Sequence, residues 1–425
     1  MPFSAPTLPR RLARSAFITA TSKLASGQLL AAAVPLLAAP IIGRLYTPSD
    51  YAPLAAFAAI SAVVGTVSTL QLSNAIIAER RTANANAIAG FCLVLAFGAA
   101  VIMGILALIL HWAFQTDPSA AMITTWLLWL PLATLADGTM STIRTLANRR
   151  GLYSSLSAIP IIIALVTTGT TLGLGFLAAG PNGPILGFLA GQATALIAYI
   201  WLSRHIGIAL PKLSMGRIRA ILRRHKRFPL YSLPSAFIGT TALQLPVYSL
   251  TALGAQAMVG AFSRARFFSG TPFTLIGGAI GEVYRQRASE AYRSSGSCRE
   301  LLVRTALMST TIGAVPVVAL LVFGPLLFEI ILGPNWRLAG EIASILAPMF
   351  MLRLIAAPLA HTLLFTGHQG LELVLNVCGS CLIGGLVGMA LFTDASAMTL
   401  VKAYSFAGTL MYLSYLVAAW KVAKA

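Results

Sequence analysis

Ten stretches of this chain, each at least 18 residues long, contain no charged side chain. A helix needs about 20 apolar residues to cross the hydrocarbon core of a bilayer. A segment in lipid must also satisfy its own backbone hydrogen bonds, which leaves helices or a closed β-barrel. Barrel strands alternate polar and apolar side chains, whereas these stretches are apolar on all sides. The sequence therefore predicts an all-α protein that crosses a membrane many times. The stretches are 24–43, 51–78, 82–116, 118–136, 151–203, 228–263, 305–328, 354–371, 373–393 and 403–420.

Two of the longer stretches are interrupted and must each contain more than one helix. The stretch 151–203 is broken by Ala-Ala-Gly-Pro-Asn-Gly-Pro at 178–184, and a weaker break lies at Ala255 and Gln256. Glycine and proline are unfavourable inside helices, so we place helix ends there. With these breaks we predict about twelve transmembrane helices. Only 10% of the residues are charged, against about 25% in a soluble domain, so water cannot be the main solvent.

The positive charges predict how the helices are oriented. Cytoplasmic loops of membrane proteins are enriched in Lys and Arg. With twelve spans and a cytoplasmic N-terminus, the predicted outer loops contain only Arg44 and Arg337 of the 30 basic residues. We therefore expect both termini and the long central loop to lie in the cytoplasm. The net charge of +19 follows from this topology.

The central cytoplasmic loop is rich in basic residues and divides the chain. It predicts an N-terminal six-helix lobe at 1–209, a basic cytoplasmic linker at 210–228 and a C-terminal six-helix lobe at 229–425. Such a linker is either a short helix lying on anionic phospholipid headgroups or a plain orientation signal. Its basic segment from Lys212 to Arg227 has no interleaved aromatic or groove-reading residues, which argues against nucleic acid as a partner. The apolar residues that give the linker its nearly helical spacing are Leu213, Ile218, Ile221 and Leu222.

Prolines occur at corresponding places in the two predicted lobes. Pro35 and Pro40 interrupt the first span, and Pro234 and Pro246 interrupt the seventh. Paired halves with proline-interrupted helices are typical of alternating-access transporters, which bind the substrate between the halves. The pattern predicts a site at the interface of the two lobes.

Four basic residues fall inside predicted spans: Arg264, Arg266, Arg353 and Lys402. A charge at bilayer depth costs at least about 2.5 kcal/mol, so such a side chain usually faces a cavity or a partner. Deep basic residues outnumber deep acids, which predicts a cavity of positive potential suited to an anionic headgroup. Two alternatives stay open: each arginine neutralises one carboxylate, or it extends to the membrane surface.

Further polar residues in or near the spans extend this candidate site. Asp137 interrupts the fourth span and Glu282 ends the eighth, so both are candidates for coupling to H+ or Na+. We expect no other cofactor and no metal site. The additional candidate substrate-binding residues are Arg144, Gln28, Gln71, Asn74 and Gln244.

The motifs of several enzyme classes are missing from the sequence. No two carboxylates lie within four residues of each other and no Asp-x-Asp occurs, so the paired-acid metal site of many sugar transferases is not present. The HExxH zinc motif and the phosphate-cradling GxxxxGK loop are also missing. We therefore expect a transporter and not an enzyme.

Six short segments carry a resemblance to a known family. They are Gly-Ala-Phe-Ser-Arg-Ala-Arg at 260–266, Pro-Phe-Thr-Leu-Ile-Gly-Gly-Ala-Ile-Gly-Glu-Val-Tyr-Arg-Gln-Arg-Ala-Ser-Glu-Ala at 272–291, Phe-Gly-Pro-Leu-Leu-Phe at 323–328, Gly-Pro-Asn-Trp-Arg-Leu-Ala-Gly at 333–340, Ile-Leu-Ala-Pro at 345–348 and Arg-Leu-Tyr-Thr-Pro-Ser-Asp-Tyr at 44–51. Together they resemble the polysaccharide repeat-unit flippases (Wzx-type) of the multidrug/oligosaccharidyl-lipid/polysaccharide (MOP) exporter superfamily.

The resemblance implies a bacterial inner-membrane protein of two six-helix bundles with a cationic central cavity. It implies export of undecaprenyl-diphosphate-linked oligosaccharide repeat units for O-antigen, capsule or exopolysaccharide synthesis, with other polysaccharide-assembly membrane proteins as candidate partners. Two other functions stay open. A drug or cation antiporter of the same superfamily would favour an acidic cavity. A polysaccharide polymerase or ligase would place long polar loops outside the membrane, whereas the predicted outer loops are short.

Overall fold

The computed structural model describes residues 10–79, 81–114, 124–206, 215–393 and 395–423, and these residues form helices and turns without a strand. Three 3-10 turns, at Ser49–Tyr51, Leu72–Asn74 and Pro334–Trp336, and a π-helical turn at Phe228–Ser232 lie between helices. The helices are α1 (Arg10–Leu45), α2 (Ala52–Val67), α3 (Ala75–Ala78), α4 (Thr82–Ala113), α5 (Leu130–Arg149), α6 (Tyr153–Phe176), α7 (Asn182–His205), α8 (Met215–Arg224), α9 (Leu233–Ala252), α10 (Gln256–Ser295), α11 (Arg299–Leu332), α12 (Arg337–Phe365), α13 (Gln369–Phe392) and α14 (Ala397–Val422).

Twelve of these helices have 16 or more residues, and they follow the order of the predicted spans. Eight spans are long and apolar enough to cross a membrane by length and composition alone. The other four long helices, α5, α9, α10 and α14, contain more polar residues. Both predicted breaks are confirmed, since α6 ends before 177–181 and α10 begins after 253–255. The all-α polytopic fold is therefore confirmed.

Two details of the sequence interpretation are wrong. Glu282 does not end a helix, because α10 continues for 40 residues to Ser295. At about 1.5 Å per residue this helix is twice as long as a bilayer core is thick, and its last turns extend past the membrane. Pro234 does not interrupt α9, because it lies in the first turn, where a missing N–H breaks no helical bond. Pro246 does lie inside α9, as predicted.

The long helices pack as two groups of six. In the N-half (α1 to α7), α6 packs between α1 and α7, and α5 packs against α2, α4 and α7. In the C-half (α9 to α14), α12 packs against α10, α11 and α14, while α13 packs against α9 and α14. The halves meet where α2 contacts α9 and α10, and where α1 contacts α11.

The buried core is shared by the halves at one end of the molecule and divided at the other. One cluster joins both halves and includes Tyr51, Phe262 and Trp336. It lies toward the loops that are poor in basic residues, which mark the predicted outer end. The inner end has two separate clusters, one around Ile143 of the N-half and one around Leu359 of the C-half. The halves are thus joined at the predicted outer end and separate toward the predicted inner end.

The basic linker forms the helix α8, but its apolar residues pack on protein. Ile221 is buried in the inner cluster of the N-half, and Ile218 and Leu222 pack against the same cluster. Of the two alternatives for the linker, insertion of these side chains among lipid headgroups does not agree with this packing, and Leu213 lies outside the described residues. Other basic side chains of this helix, such as Arg219 and Arg223, remain exposed.

A buried carboxylate fixes the linker to the N-half. An oxygen of Glu79 lies 3.5 Å from Nε of Arg224 and 3.4 Å from Nε2 of His225, and the other accepts a hydrogen bond from Asn84 at 3.4 Å. Burial alone would raise the pKa of Glu79, but the Asn84 hydrogen bond and the Arg224 charge outweigh it and hold this pKa below its usual value. The carboxylate therefore stays ionised at neutral pH and ties α8 to the N-half.

Candidate functional site: a cationic cavity between the halves

A cavity of about 690 Å³ lies between the two halves. Its N-half wall comes from α1, α2, α6 and α7, and its C-half wall from α9, α10, α12 and α14. A volume of this size is typical of sites for small organic ligands. The shared core lies on the predicted outer side of this cavity, and the separate clusters of the two halves lie on its predicted inner side.

The only charged residues that line this cavity, among the described residues, are Arg264, Arg266 and Arg353. All three belong to the C-half. No described carboxylate forms an ion pair with any of them, so their charges are not neutralised within the described structure. The cavity therefore has a positive C-half wall and an uncharged N-half wall.

Arg266 is held in place by α9. One terminal nitrogen of its guanidinium donates to the carbonyl oxygen of Leu243 at 2.6 Å, and the other donates to Oε1 of Gln244 at 2.8 Å. The guanidinium carbon also lies 5.7 Å from the centroid of the Phe262 ring. Arginine has five N–H donors, so donors of this side chain are left for an anion in the cavity.

Arg353 approaches the cavity from the middle of α12. It is partly buried and close enough to Tyr412 to act electrostatically on that hydroxyl, which lines the same cavity. Counted along the helices at about 1.5 Å per residue, Arg264 lies nearest the predicted outer end and Arg353 lies deeper. The three guanidinium groups are thus distributed along the cavity and not gathered at one depth.

Arg264 makes its contacts with aromatic faces. Its guanidinium carbon lies 4.0 Å from the centroid of the Tyr51 ring and 5.3 Å from that of Phe267. Its Nε is buried and has no hydrogen-bond partner in the described structure. Tyr51 belongs to the N-half, so this contact crosses the interface between the halves.

Three more contacts close the cavity at the predicted outer end. Nε1 of Trp336 donates to the carbonyl oxygen of Gly43 at 2.8 Å. The Trp336 ring packs edge-on against Tyr51, with centroids 5.8 Å apart. Gly260 lies directly against the carbonyl oxygen of Pro48, where a Cβ would overlap that oxygen. The outer end is therefore sealed by closely packed groups from both halves.

The match to a protein family agrees with this architecture. A family model described as polysaccharide biosynthesis protein matches residues 41–341, well over half of the 425 residues. The chain belongs to this family. No curated protein matches the sequence.

Solved structures show which fold the chain has. It is similar to the lipid II flippase MurJ in an inward closed conformation, with a TM-score of 0.71, 13% identity, and coverage of 95% of this chain and 87% of that one. An inward-facing MATE-family multidrug resistance transporter of the MOP superfamily gives 0.62, 13% identity and 93% of each chain. An outward-facing MATE-family transporter gives 0.57, 14% identity and 94% of each chain. The chain therefore has the MOP-superfamily fold, and the resemblance read from the sequence is confirmed.

The structure brings only some of the predicted site residues into the cavity. Gln244 lies there beside the three arginines. Lys402, Arg144, Gln28 and Asn74 are exposed and do not line it. Gln71 bonds within its own turn, since its Nε2 donates to the carbonyl oxygen of Thr66 and its Oε1 accepts from Asn74, both at 3.0 Å.

The two candidate coupling carboxylates are in different situations. Asp137 is partly buried inside the N-half, where its oxygens face the hydroxyl of Ser61 and the amide of Gln192, each at 3.4 Å. It has no described cationic partner and does not line the cavity. Glu282 is exposed and pairs with Arg285 at 2.8 Å on its own helix. A carboxylate already paired at the surface is a poor ion-coupling site, so Asp137 is the better candidate.

Sequence reasoning missed the polar part of the N-half wall. Thr167, Thr168 and Thr171 of α6 line the cavity together with Tyr51. The Thr171 hydroxyl donates to the carbonyl oxygen of Thr167 at 2.8 Å and packs against Gly187 of α7. The four threonines within the five residues 167–171 were the signal that could have indicated polar positions in this apolar helix.

Proposed function

We propose that this protein is a flippase that moves undecaprenyl-diphosphate-linked oligosaccharide repeat units from the cytoplasmic to the periplasmic leaflet of the bacterial inner membrane. The products would serve O-antigen, capsule or exopolysaccharide synthesis. Both termini lie in the cytoplasm in this proposal, as the positive-inside rule predicts. The observation that carries it is a cavity between two halves whose only described charges are three unpaired arginines.

The cationic wall suits a diphosphate. Hydrogen bonds between ionised partners are about twice as strong as neutral ones, and guanidinium groups bind phosphate oxygens in a bidentate manner. Arg266, which Gln244 orients, and Arg353 would bind the diphosphate from the C-half. The polyprenyl chain would stay in the surrounding lipid, because burying it in a charged cavity offers no gain over hydrocarbon.

The uncharged wall suits the saccharide. Threonine hydroxyls both donate and accept hydrogen bonds, so those of the lining that are not packed against α7, such as Thr168, would bind sugar hydroxyls without fixing their identity. The small residues Ala55, Ala58 and Ala59 of α2 line the same region and leave room for bulky rings. A site of this kind would be specific for the diphosphate and would accept different sugars.

Alternating access would follow from motion of the halves. We assign 1–209 and 229–425 as the two moving lobes and 210–228 as the linker that joins them. The structure is closed at the predicted outer end, so the substrate would enter from the cytoplasmic side. Binding or release of H+ or Na+ at Asp137 would couple the motion to an ion gradient, since a carboxylate inside a membrane lobe without a cationic partner is a natural cation site.

The cavity charge argues against the competing functions. A carrier of cationic drugs would favour an acidic cavity, whereas the described lining has three cations and no carboxylate. An integral-membrane polymerase or ligase needs an outer domain for its chemistry, but the described outer turns are as short as Pro334–Trp336. Anionic phospholipids at the exposed arginines of α8, and other membrane proteins of polysaccharide assembly, are the partners that this proposal adds.

Reconstitution tests the proposal directly. Vesicles containing the protein and a labelled polyprenyl-diphosphate oligosaccharide should show leaflet exchange, scored by access of an impermeant sugar-modifying reagent. The double variant Arg266→Gln/Arg353→Gln should lose this exchange. Arg304→Gln is the matched control, because Arg304 is exposed and pairs with Glu300 on its own helix. Exchange at the wild-type rate in the double variant would remove the basis of the proposal.

A second experiment separates the flippase from a polymerase. In a deletion strain, loss of a flippase leaves single lipid-linked repeat units on the cytoplasmic leaflet. Loss of a polymerase leaves them on the periplasmic leaflet instead. Accumulation on the periplasmic side would therefore assign this protein to the later step.

A further inference from the structure

The seal at the predicted outer end contains one contact that a ligand in the cavity can reach. Most of the seal consists of packed backbone and rings, such as Gly260 against Pro48 and Trp336 against Tyr51. The contact between Tyr51 and Arg264 differs, because Tyr51 belongs to the buried core of the seal, Arg264 packs on its ring, and both residues also line the cavity. An anion in the cavity therefore meets the guanidinium without crossing any other part of the seal.

Arg264 is poorly satisfied in its present position. Its Nε is buried without an acceptor, and no described carboxylate, carbonyl or hydroxyl accepts a hydrogen bond from it. Its charge is stabilised by the faces of Tyr51, at 4.0 Å, and Phe267, at 5.3 Å. A ring face attracts the cation but accepts none of its five in-plane N–H groups well. A phosphate oxygen is a stronger partner for the same donors.

An anion that pairs with Arg264 weakens the contact between Arg264 and the Tyr51 ring, whichever side of the guanidinium the anion binds. The attraction between a guanidinium and a ring arises from the positive charge of one and the quadrupole of the other. A phosphate bound at the edge of Arg264 cancels most of that charge, so the ring of Tyr51 is held less strongly. The loss affects only the state in which the halves touch at the outer end, because Tyr51 and Arg264 belong to opposite halves.

From this arrangement we infer that Tyr51 and Arg264 form an outer latch, which is closed while the cavity is empty and is released by the phosphate groups of the substrate. The inference rests on the proposed function, because it assigns the diphosphate as the group that opens the outer end. A ligand shifts a conformational equilibrium only by its different affinity for the two states, and the latch supplies that difference. An empty cavity keeps the outer seal, and a loaded cavity loosens it.

The latch makes a quantitative prediction for the empty protein. A cation–π contact is worth between about 0.5 and 2 kcal/mol, so its removal should raise the ratio of outer-open to outer-closed molecules about 2- to 30-fold. Tyr51→Leu and Arg264→Gln remove the contact from opposite sides. Each should give a shift of this size, and the double variant should shift no further than the larger single one. Tyr51→Phe keeps the ring face and should resemble the wild type.

Spin labels at Ser49→Cys and Asn335→Cys can measure the outer distance across the halves. Both positions are exposed, one in the N-half and one in the C-half, and the exposed native residues Cys378 and Cys381 are replaced by serine. The first arm uses ligand-free protein in lipid nanodiscs. The inference is wrong if Tyr51→Leu and Arg264→Gln leave the distance distribution unchanged, or if their effects simply add. Since the two variants report the same contact, failure of one to fold leaves the other as the test.

The second arm adds undecaprenyl diphosphate, with undecaprenol as the phosphate-free control. Undecaprenyl diphosphate should increase the long-distance population of the wild type by a factor in the same range, and undecaprenol should not. In Arg264→Gln the diphosphate should bind through Arg266 and Arg353 without changing the distance. An unchanged distance in wild-type protein that binds the diphosphate would overturn phosphate release of the latch. Absence of diphosphate binding to the wild type would instead count against the proposed function, while the ligand-free arm still decides whether the latch exists.

Discussion

Replacement of Gly260 by alanine should force the outer end of the cavity open. In the structure a Cβ at Gly260 would lie far inside 3.0 Å of the carbonyl oxygen of Pro48, a separation that real Cβ atoms do not reach. The obstructing atom is backbone of the opposite half, so it cannot rotate away as a side chain could. The halves must separate locally to make room for the methyl group.

The expected magnitude follows from the cost of overpacking. An extra methyl group in a well-packed contact costs about 1 to 3 kcal/mol, which corresponds to a change of about 5- to 140-fold in an equilibrium constant. The cost applies only to the outer-closed state, because Gly260 and Pro48 separate when the outer end opens. The gain in helix propensity from Gly to Ala applies to both states and cancels. The variant should therefore favour outward-open molecules while it stays folded.

Labelling of Thr271→Cys with a membrane-impermeant thiol reagent measures this shift, because Thr271 lines the cavity. In Gly260→Ala, labelling from the predicted outer side should rise and labelling from the predicted inner side should fall. Gly278→Ala is the control on the same helix, since a Cβ there would meet no atom within 4 Å. Equal labelling of the two alanine variants from both sides would refute the assigned outer seal.

Three further outcomes are expected from the same structure. Trp336→Phe, which removes the buried bond to the Gly43 carbonyl, should raise outer labelling by about 5-fold, the equivalent of about 1 kcal/mol for one hydrogen bond. Asp137→Asn should leave diphosphate binding intact in nanodiscs and make leaflet exchange insensitive to imposed H+ and Na+ gradients. Because the pKa of Glu79 is lowered, its contribution to linker docking is present above the ordinary pKa of a free glutamate, near 4.3, and is lost as the pH falls through the lowered value. Hydrogen exchange of α8 should accordingly increase only at pH values below the ordinary pKa of glutamate, whereas Glu79→Gln should exchange fast at neutral pH as well.

The sequence predicted how deep a residue lies in the membrane better than it predicted which way its side chain points around the helix axis. Charged residues and Gly-Pro breaks mark where a helix enters and leaves lipid, so the order of the twelve long helices could be predicted. The arginines that line the cavity are deep in their helices, which is why depth alone identified them. Lys402 and Gln28 are also within helices, yet they do not line the cavity. Helices that are apolar on every side give no signal for which face turns toward the partner half.

The closed outer end could not be predicted from the chain either. Tyr51 and Trp336 were included in the segments that resemble the flippase family, but nothing in their spacing shows that they meet across the halves. The contact depends on Gly43 and Gly260, which let backbone approach backbone. A glycine in a sequence indicates that another backbone segment can pack closely there, but it does not indicate which segment does so. Glu282 was misplaced for a related reason, because a charged residue was taken as the end of a helix that continues beyond the membrane.

The one-sided charge of the cavity determines how a membrane potential would act on the proposed cycle. With three arginines and no described carboxylate, an empty cavity carries three positive charges, and an interior-negative potential favours its inward-facing state by up to about 2.3 kcal/mol per charge per 100 mV. A bound diphosphate diester brings about two negative charges, so only about one net positive charge opposes outward opening of the loaded protein. The potential would thus act mainly on the return of the empty protein to its inward-facing state. The electrical free energy gained in this return exceeds the electrical cost of outward opening of the loaded protein, and the difference equals the gain from moving the diphosphate outward. Since the latch between Tyr51 and Arg264 also favours the inward-facing state only when the cavity is empty, the electric field and the outer seal would bias the cycle in the same direction.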